Sequence, residues 1–348
     1  MMRSLIPAWF CFALSLTVSC GLVFAAAPDT ETVVYQGGAG PGQGKNIVFL
    51  AGDEEYRSEE GLPMLAKILA LRHGFNCTVL FSINPADGTI DPVTQTNEPG
   101  LQALDSADLC VMLLRFRHWP DEQMKHFVEY LKAGKPIIAL RTSTHAFAYG
   151  ANSSSAYAKY DWQNQDWPGG FGQQVLGETW VSHHGDHGKE STRGAINPPL
   201  ASHPILRGVA DLWVPTDVYT VSHLPKDAQV LVWGQVLSGM KPTDPPLDGP
   251  KNNPLMPIVW LRDYTGENGK LVRTVTTTTG AAVDLQNEDL RRLLVNACYW
   301  TVGLTDKIPA RADVSYVGEY HPTWFGFNQG KKGVKPADLR LTSDAPSQ

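Results

Sequence analysis

"KPIIALRTSTHAF", residues 135–147, decides how this chain is read. Its first half is a short apolar run with adjacent β-branched residues at Ile137 and Ile138, and the pattern predicts a buried strand. The run then turns polar at Arg141, Thr142 and Ser143, with His145 just beyond, so the stretch reads as a strand entering a sharp turn and then a helix. Turns of this kind often present a nucleophile. No cysteine stands at this one, which leaves either a site whose nucleophile has been replaced or a plain loop.

Outward from that stretch the same rhythm recurs. "KNIVFLA" (45–51), "FNCTVLFS" (75–82) and "ADLCVMLL" (107–114) are near-continuous apolar runs. Between them "SEEGLPMLAKILALRHG" (58–74) places Leu62, Leu65, Ala66 and Leu69 at helical spacing, with an N-terminal signal at Ser58 and a stop at Gly74. "DEQMKHFVEYLKAG" (121–134) is a second amphipathic helix. Apolar strands alternating with helices predict an α/β fold whose doubly wound, mainly parallel sheet is covered on both faces. Past residue 150 the pattern changes. "ANSSSAYAKYDWQNQDWPGG" (151–170) has no clear period and reads as a long loop or insertion. "VLVWGQVL" (230–237), "MPIVWLRDY" (256–264) and "LVRTVTTTT" (271–279) predict a β-rich second half, and "NEDLRRLLVNACYWTVGL" (287–304) a late helix. The expected division is a leader over 1–27, a Gly/Pro-rich surface linker over 28–44, one domain over 45–304 and an extended C-terminal tail over 305–348.

Composition narrows the function. Hydrophobic residues make up 43% and charged residues 18% of the 348, as in a packed globular protein. The net charge is −6 and the longest basic run is Lys331-Lys332, which argues against a nucleic-acid partner. Arg3, the apolar stretch from Leu5 to Phe24 and Ala25-Ala26-Ala27 describe a secretory signal, with cleavage expected after Ala25 and export to the periplasm or beyond. An uncleaved anchor is the alternative there. Cys11 and Cys20 lie in the leader; Cys77, Cys110 and Cys298 sit in apolar runs and read as core thiols, not as a disulfide framework. The first strand is not followed by a glycine fingerprint for dinucleotides, nor is there a phosphate-binding loop, which excludes a self-contained nicotinamide oxidoreductase.

In a doubly wound sheet ligands sit off the carboxyl ends of the strands. Three strands here discharge into reactive loops: "GDEEYRSEE" with Asp53, Glu54, Glu55 and Arg57, "RFRHWP" with Arg115 and Trp119, and "RTSTHAF" with Arg141, Ser143 and His145. A fourth cluster, "WVSHHGDHGKESTRG" (180–194), holds His183, His184 and His187. Gly185 and Gly188 oppose a regular helix there, and there is no His-Glu-x-x-His. His183 and His187 with a carboxylate could hold a divalent, zinc-like metal, or the loop could hydrogen-bond substrate. His145 is the stronger candidate for general acid or base, because the backbone fixes its place. His73, His126, His203, His223 and His321 read as structural.

"VFLAGDEEYRSEEGLPMLAKILA", "ADLCVMLLRFRHWPDEQMKHFVEYLKAGKPIIALRTSTHAF", "HPILRGVADLWVPTDVY" and "PIVWLRDYTGENGKLVRTVTTTTGA" resemble the trehalose-utilisation (ThuA-like) family. The tail "FGFNQGKKGVKPADL" is closest to its secreted, planctomycete-type branch. The resemblance implies a flavodoxin-like fold similar to class I glutamine amidotransferases, in which Arg141 stands near the position of the amidotransferase cysteine. A guanidinium is no nucleophile, so glutaminase chemistry is not expected. It implies instead a role in carbohydrate metabolism, acting on a sugar or keto-glycoside, with a sugar oxidoreductase as a partner in the same pathway. On that reading His145 and His184 carry protons with Asp53 or Glu55 as partner carboxylate, and Arg57, Arg115, Arg141 and Ser143 orient the substrate. Trp119, Trp162 and Trp180 would stack on a pyranose face. The rival expectations are a non-catalytic carbohydrate-binding protein and a metal-dependent hydrolase. The oligomeric state stays open.

Overall fold

Residues 31–341 are described by a computed structural model; the leader reading, with Cys11 and Cys20, lies outside the described residues. The first strands are β1 (Thr32–Tyr35), β2 (Asn46–Gly52), β3 (Asn76–Phe81), β4 (Leu109–Leu114) and β5 (Ile137–Leu140). They are joined by helices α1 (Ser58–His73) and α2 (Asp121–Lys132). The second half adds β6 (Thr192–Ile196), β7 (Trp213–Val214), β8 (Gln229–Val236), β9 (Met256–Thr265), β10 (Leu271–Thr277) and α3 (Glu288–Thr301). All ten strands form one sheet in the order β1-β3-β2-β4-β5-β10-β9-β8-β6-β7.

The predicted parallel sheet is therefore its central part. β3, β2, β4, β5 and β10 run parallel, while β1 and the β9-β8-β6-β7 wing pair antiparallel. The sheet is mixed, and the strands of the second half continue it instead of building a separate layer. The segment read as a surface linker supplies the edge strand β1, with Val33 and Tyr35 buried.

Both faces are covered, because the central strands are apolar on both sides. Ile47, Phe49 and Ala51 of β2 pack in one core with residues of α1 and α3. Val48 and Leu50 point the other way, into a core shared with Met124, Phe127 and Leu131 of α2. Cys77, Cys110 and Cys298 are buried free thiols. Among the described residues no helix is long and apolar enough to cross a membrane.

Two local readings change. Ser58 does not cap α1; its Oγ accepts from the Asp53 amide (2.9 Å), and the helix starts after Arg57 in a left-handed conformation. The stretch after β5 is not an α-helix but a single tight turn, Arg141–His145. The tail is part of the packing: Ile308, Ala312, Val314 and Phe325 are buried, and Tyr35 donates to the Leu339 carbonyl (2.8 Å).

Candidate functional site

Backbone strain marks the edge where the central strands end. Among the described residues four that are not glycine have positive φ: Arg57 at 59°, Phe116 at 55°, Arg141 at 39° and Asn328 at 59°. Arg57, Phe116 and Arg141 follow β2, β4 and β5, and Asn328 lies in the tail where it crosses the same edge. Such conformations cost roughly 1–3 kcal/mol each and persist where the surroundings over-determine them.

The loop after β2 is braced from within. Asp53 is fully buried, and its Oδ1 accepts from the amides of Glu55 (2.7 Å) and Tyr56 (2.6 Å) while Thr142 donates to Oδ2. It holds the loop, with both oxygens engaged by protein donors. Glu54 pairs with Arg115 and, at 3.1 Å, with Arg117. Glu55 is the carboxylate that faces the histidine loop, 3.6 Å from Arg115 Nε and 3.5 Å from His187 Nε2. Burial, and then the neighbouring Asp53 charge, raise its carboxyl above the usual range, with Arg115, Arg141 and His187 offsetting part of the rise.

Asp217 organises the histidine loop. Its carboxylate is fully buried and receives Arg141 Nη2 at 2.9 Å, His183 Nδ1 at 2.7 Å and His187 Nδ1 at 3.0 Å. Burial alone would raise this carboxyl, but Arg141 and the two imidazoles outweigh it and hold it well below the ordinary range. An ionised carboxylate only accepts, so the pairing puts the proton on Nδ1 of each ring and leaves each Nε2 as the reactive nitrogen. Both histidines are about one-third exposed, His183 at 36% and His187 at 33% of the side chain, whereas Asp217 behind them is at 0%.

Arg141, expected to orient substrate, is fully buried. Its guanidinium lies 4.2 Å from the ring centres of both Tyr56 and Tyr219 and also donates to the carbonyls of Asp217 (3.1 Å) and Thr278 (2.8 Å). The elbow after β5 therefore aims a cation at Asp217.

His145 sits within a cage of Phe116, Trp162, Trp180 and Tyr219, with ring centres 5.1 to 6.5 Å away. Burial, then the charges of Arg115, Arg141 and His183, push its imidazole well below the usual range, so it stays neutral. Its Nδ1 lies 3.2 Å from the Thr144 hydroxyl oxygen. Trp162 and Trp180, half-buried, are the tryptophans that reach this wall.

Several expected residues lie elsewhere. His184 has its Nε2 on the Lys251 carbonyl (2.8 Å) and makes no contact with His145. Ser143 Oγ accepts from the Leu114 amide (3.2 Å) and donates to the Met112 carbonyl (3.0 Å), which ties the elbow to β4. Trp119 is buried in the core against Phe127 and Phe147. Arg57 clamps the tail, donating to Thr323 Oγ1 (3.1 Å), the Glu54 carbonyl (2.8 Å) and the Gly326 carbonyl. The residues missed from sequence are Asp217, Tyr219 and Phe325, whose ring lies 5.1 Å from His187 and 5.7 Å from Tyr56. The one signal for Asp217 was an acid within the stretch "VPTDVY".

A family model described as ThuA, trehalose utilisation, matches residues 46–301. Comparison with curated proteins gives no match. Among solved structures the chain is similar to a ThuA-like protein from Parabacteroides merdae, at 14% identity over 74% of this chain and 90% of that one, with a TM-score of 0.47. It is also similar to a ThuA-like protein from Bacteroides uniformis, at 15% identity over 76% and 93% of the two chains, with a TM-score of 0.45.

Proposed function

The chain belongs to the ThuA family of trehalose-utilisation proteins, and from that premise we propose that it acts on a sugar or keto-glycoside by general acid–base chemistry centred on Glu55, His183 and His187. The family ties it to carbohydrate metabolism; the chemistry is our reading of the site. One observation carries it: a single buried carboxylate, Asp217, takes Nδ1 of both histidines and so fixes both in one tautomer, with His187 Nε2 3.5 Å from Glu55. A ring held in this way takes a proton at Nε2, and Asp217 stabilises the imidazolium that results. Glu55, with its carboxyl raised by burial, is suited to give a proton. Arg115 beside it supplies a fork of donors for hydroxyl or carbonyl oxygens. Neutral His145 offers one hydrogen bond from an aromatic wall suited to a pyranose.

This reading leaves no place for a glutaminase. The elbow presents Arg141 where a thiol would stand, and Thr142 and Ser143 have their hydroxyls committed to Asp53 and to β4. Export, membership of the secreted branch and a partner oxidoreductase that would supply a keto-sugar belong to the same proposal. A second reading is favoured by the ligand atoms of His183, His187 and Asp217, which lie within 4.8 Å of one another. These residues fit a divalent metal best with the imidazole Nε2 atoms as ligands and Asp217 behind them as the orienting carboxylate, since Asp217 already faces Arg141. The metal would supply Lewis acidity to an oxygen.

Trehalose, glucose and their 3-keto forms, incubated with the purified full chain and followed by NMR, test the proposal. Consumption of a keto form, lost in His187→Ala and Glu55→Gln, is the expected result. Binding that survives His183→Ala and His187→Ala with nothing consumed would make the protein a carbohydrate binder without turnover. Metal analysis of the purified protein decides the second reading, which fails if no metal is bound and a chelator changes nothing.

A further inference from the structure

A cavity of about 200 Å³ lies between α1 and the C-terminal tail and shares no residue with the acid–base cluster. Glu59, Pro63 and Met64, on one face of α1, form its floor, and the tail closes over them with Tyr320 and Val334. The walls are fastened. The Ile90 amide donates to the Val334 carbonyl (2.8 Å), and the Tyr320 hydroxyl donates to the Ala282 carbonyl (2.7 Å). Apolar cavities of roughly 150 Å³ take up benzene, so this one has room for a ring and a short polar arm.

The polar group on the floor is a carboxyl short of donors. Glu59 is half-buried, yet its Oε2 is closed off from solvent without a hydrogen-bond partner, and no side chain among the described residues donates to the group. The tail passes close by: a Cβ on Gly330 would lie 3.1 Å from Glu59 Oε1. Pro63 carries no N–H, so the Glu59 carbonyl also lacks its ordinary helical donor. The neighbouring cations are engaged elsewhere. Lys331 lies 3.7 Å from Glu60, Lys67 sits over the Tyr35 ring at 5.7 Å, and Arg57 clamps the tail. Burial pushes the Glu59 carboxyl up to about 8, against the pull of its own amide and of Arg57. A carboxyl in this state gains most from a ligand that brings its own cation and its own N–H donors. The Tyr320 ring adds an aromatic surface that favours a cation in the same cavity.

We propose that this cavity is a binding site for a small primary amine with a single-ring apolar body, its ammonium seated on Glu59 and its ring against Met64, Ile90 and Val334. The site goes beyond the carbohydrate reading and does not depend on it.

Calorimetry on the full chain at neutral pH tests it, with 2-phenylethylamine, 2-phenylethanol and 3-phenylpropionate as probes of similar shape and different head group. The amine should bind about tenfold or more tightly than the alcohol, and the carboxylate should not bind. Glu59→Gln should bring the amine down to the alcohol's affinity. Val334→Trp, which keeps the carboxyl and fills the space, should remove binding of both, and Glu55→Gln should change neither. Equal affinity for amine and alcohol overturns the assignment, as does an amine preference that survives Glu59→Gln or binding that survives Val334→Trp. Amine binding lost in Glu55→Gln would place the amine at the acid–base cluster and defeat the proposal. Absence of binding by all three probes to the parent defeats it too, and none of these results bears on the carbohydrate reading.

Discussion

Asp217 shows how much one carboxylate can be asked to do. It neutralises the buried Arg141 guanidinium and fixes the tautomer of two histidines, so removing its charge should act on both stability and chemistry. Asp217→Asn leaves the guanidinium facing a neutral amide, and we expect a loss of about 3 kcal/mol, read as a lower urea midpoint, together with loss of turnover. An unchanged midpoint would mean that Tyr56, Tyr219 and the two carbonyls suffice to hold Arg141. The folded Asp217 carboxyl is depressed, so its contribution is present above the ordinary value of 3.8 and fades only as pH falls towards the folded value. Glu98 has the opposite sign. It is fully buried, and burial raises its carboxyl from 4.5 to about 7, against the pull of Arg117 and Ser82. Its contribution is complete below pH 4.5 and is lost as pH rises through 7, a difference on the order of 3 kcal/mol. Unfolding measured at pH 5 and pH 8 should show that decline in the parent and a flatter dependence in Glu98→Gln; equal slopes would remove Glu98 as its source.

Elements were legible where period and length agreed. α1, α2 and α3 and the central strands follow from apolar runs and helical spacing, and Asn287 caps α3 through the Leu290 amide (2.8 Å). β1 was lost because four residues inside a Gly/Pro-rich stretch carry too little pattern, and β6 because its residues after Thr192 are only half-buried. Strand direction is not written in apolar content, since a buried strand looks alike in either sense. The hairpin between β9 and β10 closes at "TGENGK", with the Gly266 amide donating to the Lys270 carbonyl (2.9 Å), as an antiparallel pair requires. The elbow depends on a neighbour that no local pattern announces. A Cβ on Gly172 would lie 1.8 Å from the Thr144 carbonyl oxygen, so the helical turn Gly172–Leu176 reaches the elbow only because it begins with glycine. Gly172→Ala should cost about 1–3 kcal/mol and displace the wall around His145. Denaturation together with the tryptophan fluorescence of Trp162 and Trp180 would report both, and an unperturbed spectrum would place the adjustment elsewhere.

At the scale of the whole molecule the place of the site was legible and the roles were not. Parallel strands deliver their loops to one edge, so Glu55, Arg115, His145 and the histidine loop meet there. Whether a charged residue faces solvent or braces the fold depends on partners far along the chain. Arg141 and Asp217 are 76 positions apart, and Arg57 meets Gly326 across 269. The tail is the largest consequence, because it roofs the edge with Phe325 and is held there by Arg57. Arg57→Gly separates the clamp from the strain: glycine takes the left-handed turn at no steric cost, while the bonds to Thr323 and Gly326 vanish. The sheet and its two cores do not depend on that guanidinium, so the variant should melt within a few degrees of the parent (about 1 kcal/mol). The tail, however, should open locally. Lys331 and Lys332 lie just beyond the clamp with exposed side chains, at 56% and 66%, which makes trypsin a direct probe. We expect cleavage at this pair to accelerate severalfold in Arg57→Gly under native conditions. A cleavage rate equal to the parent's would show that Glu60 and the buried Phe325 hold the roof without the arginine.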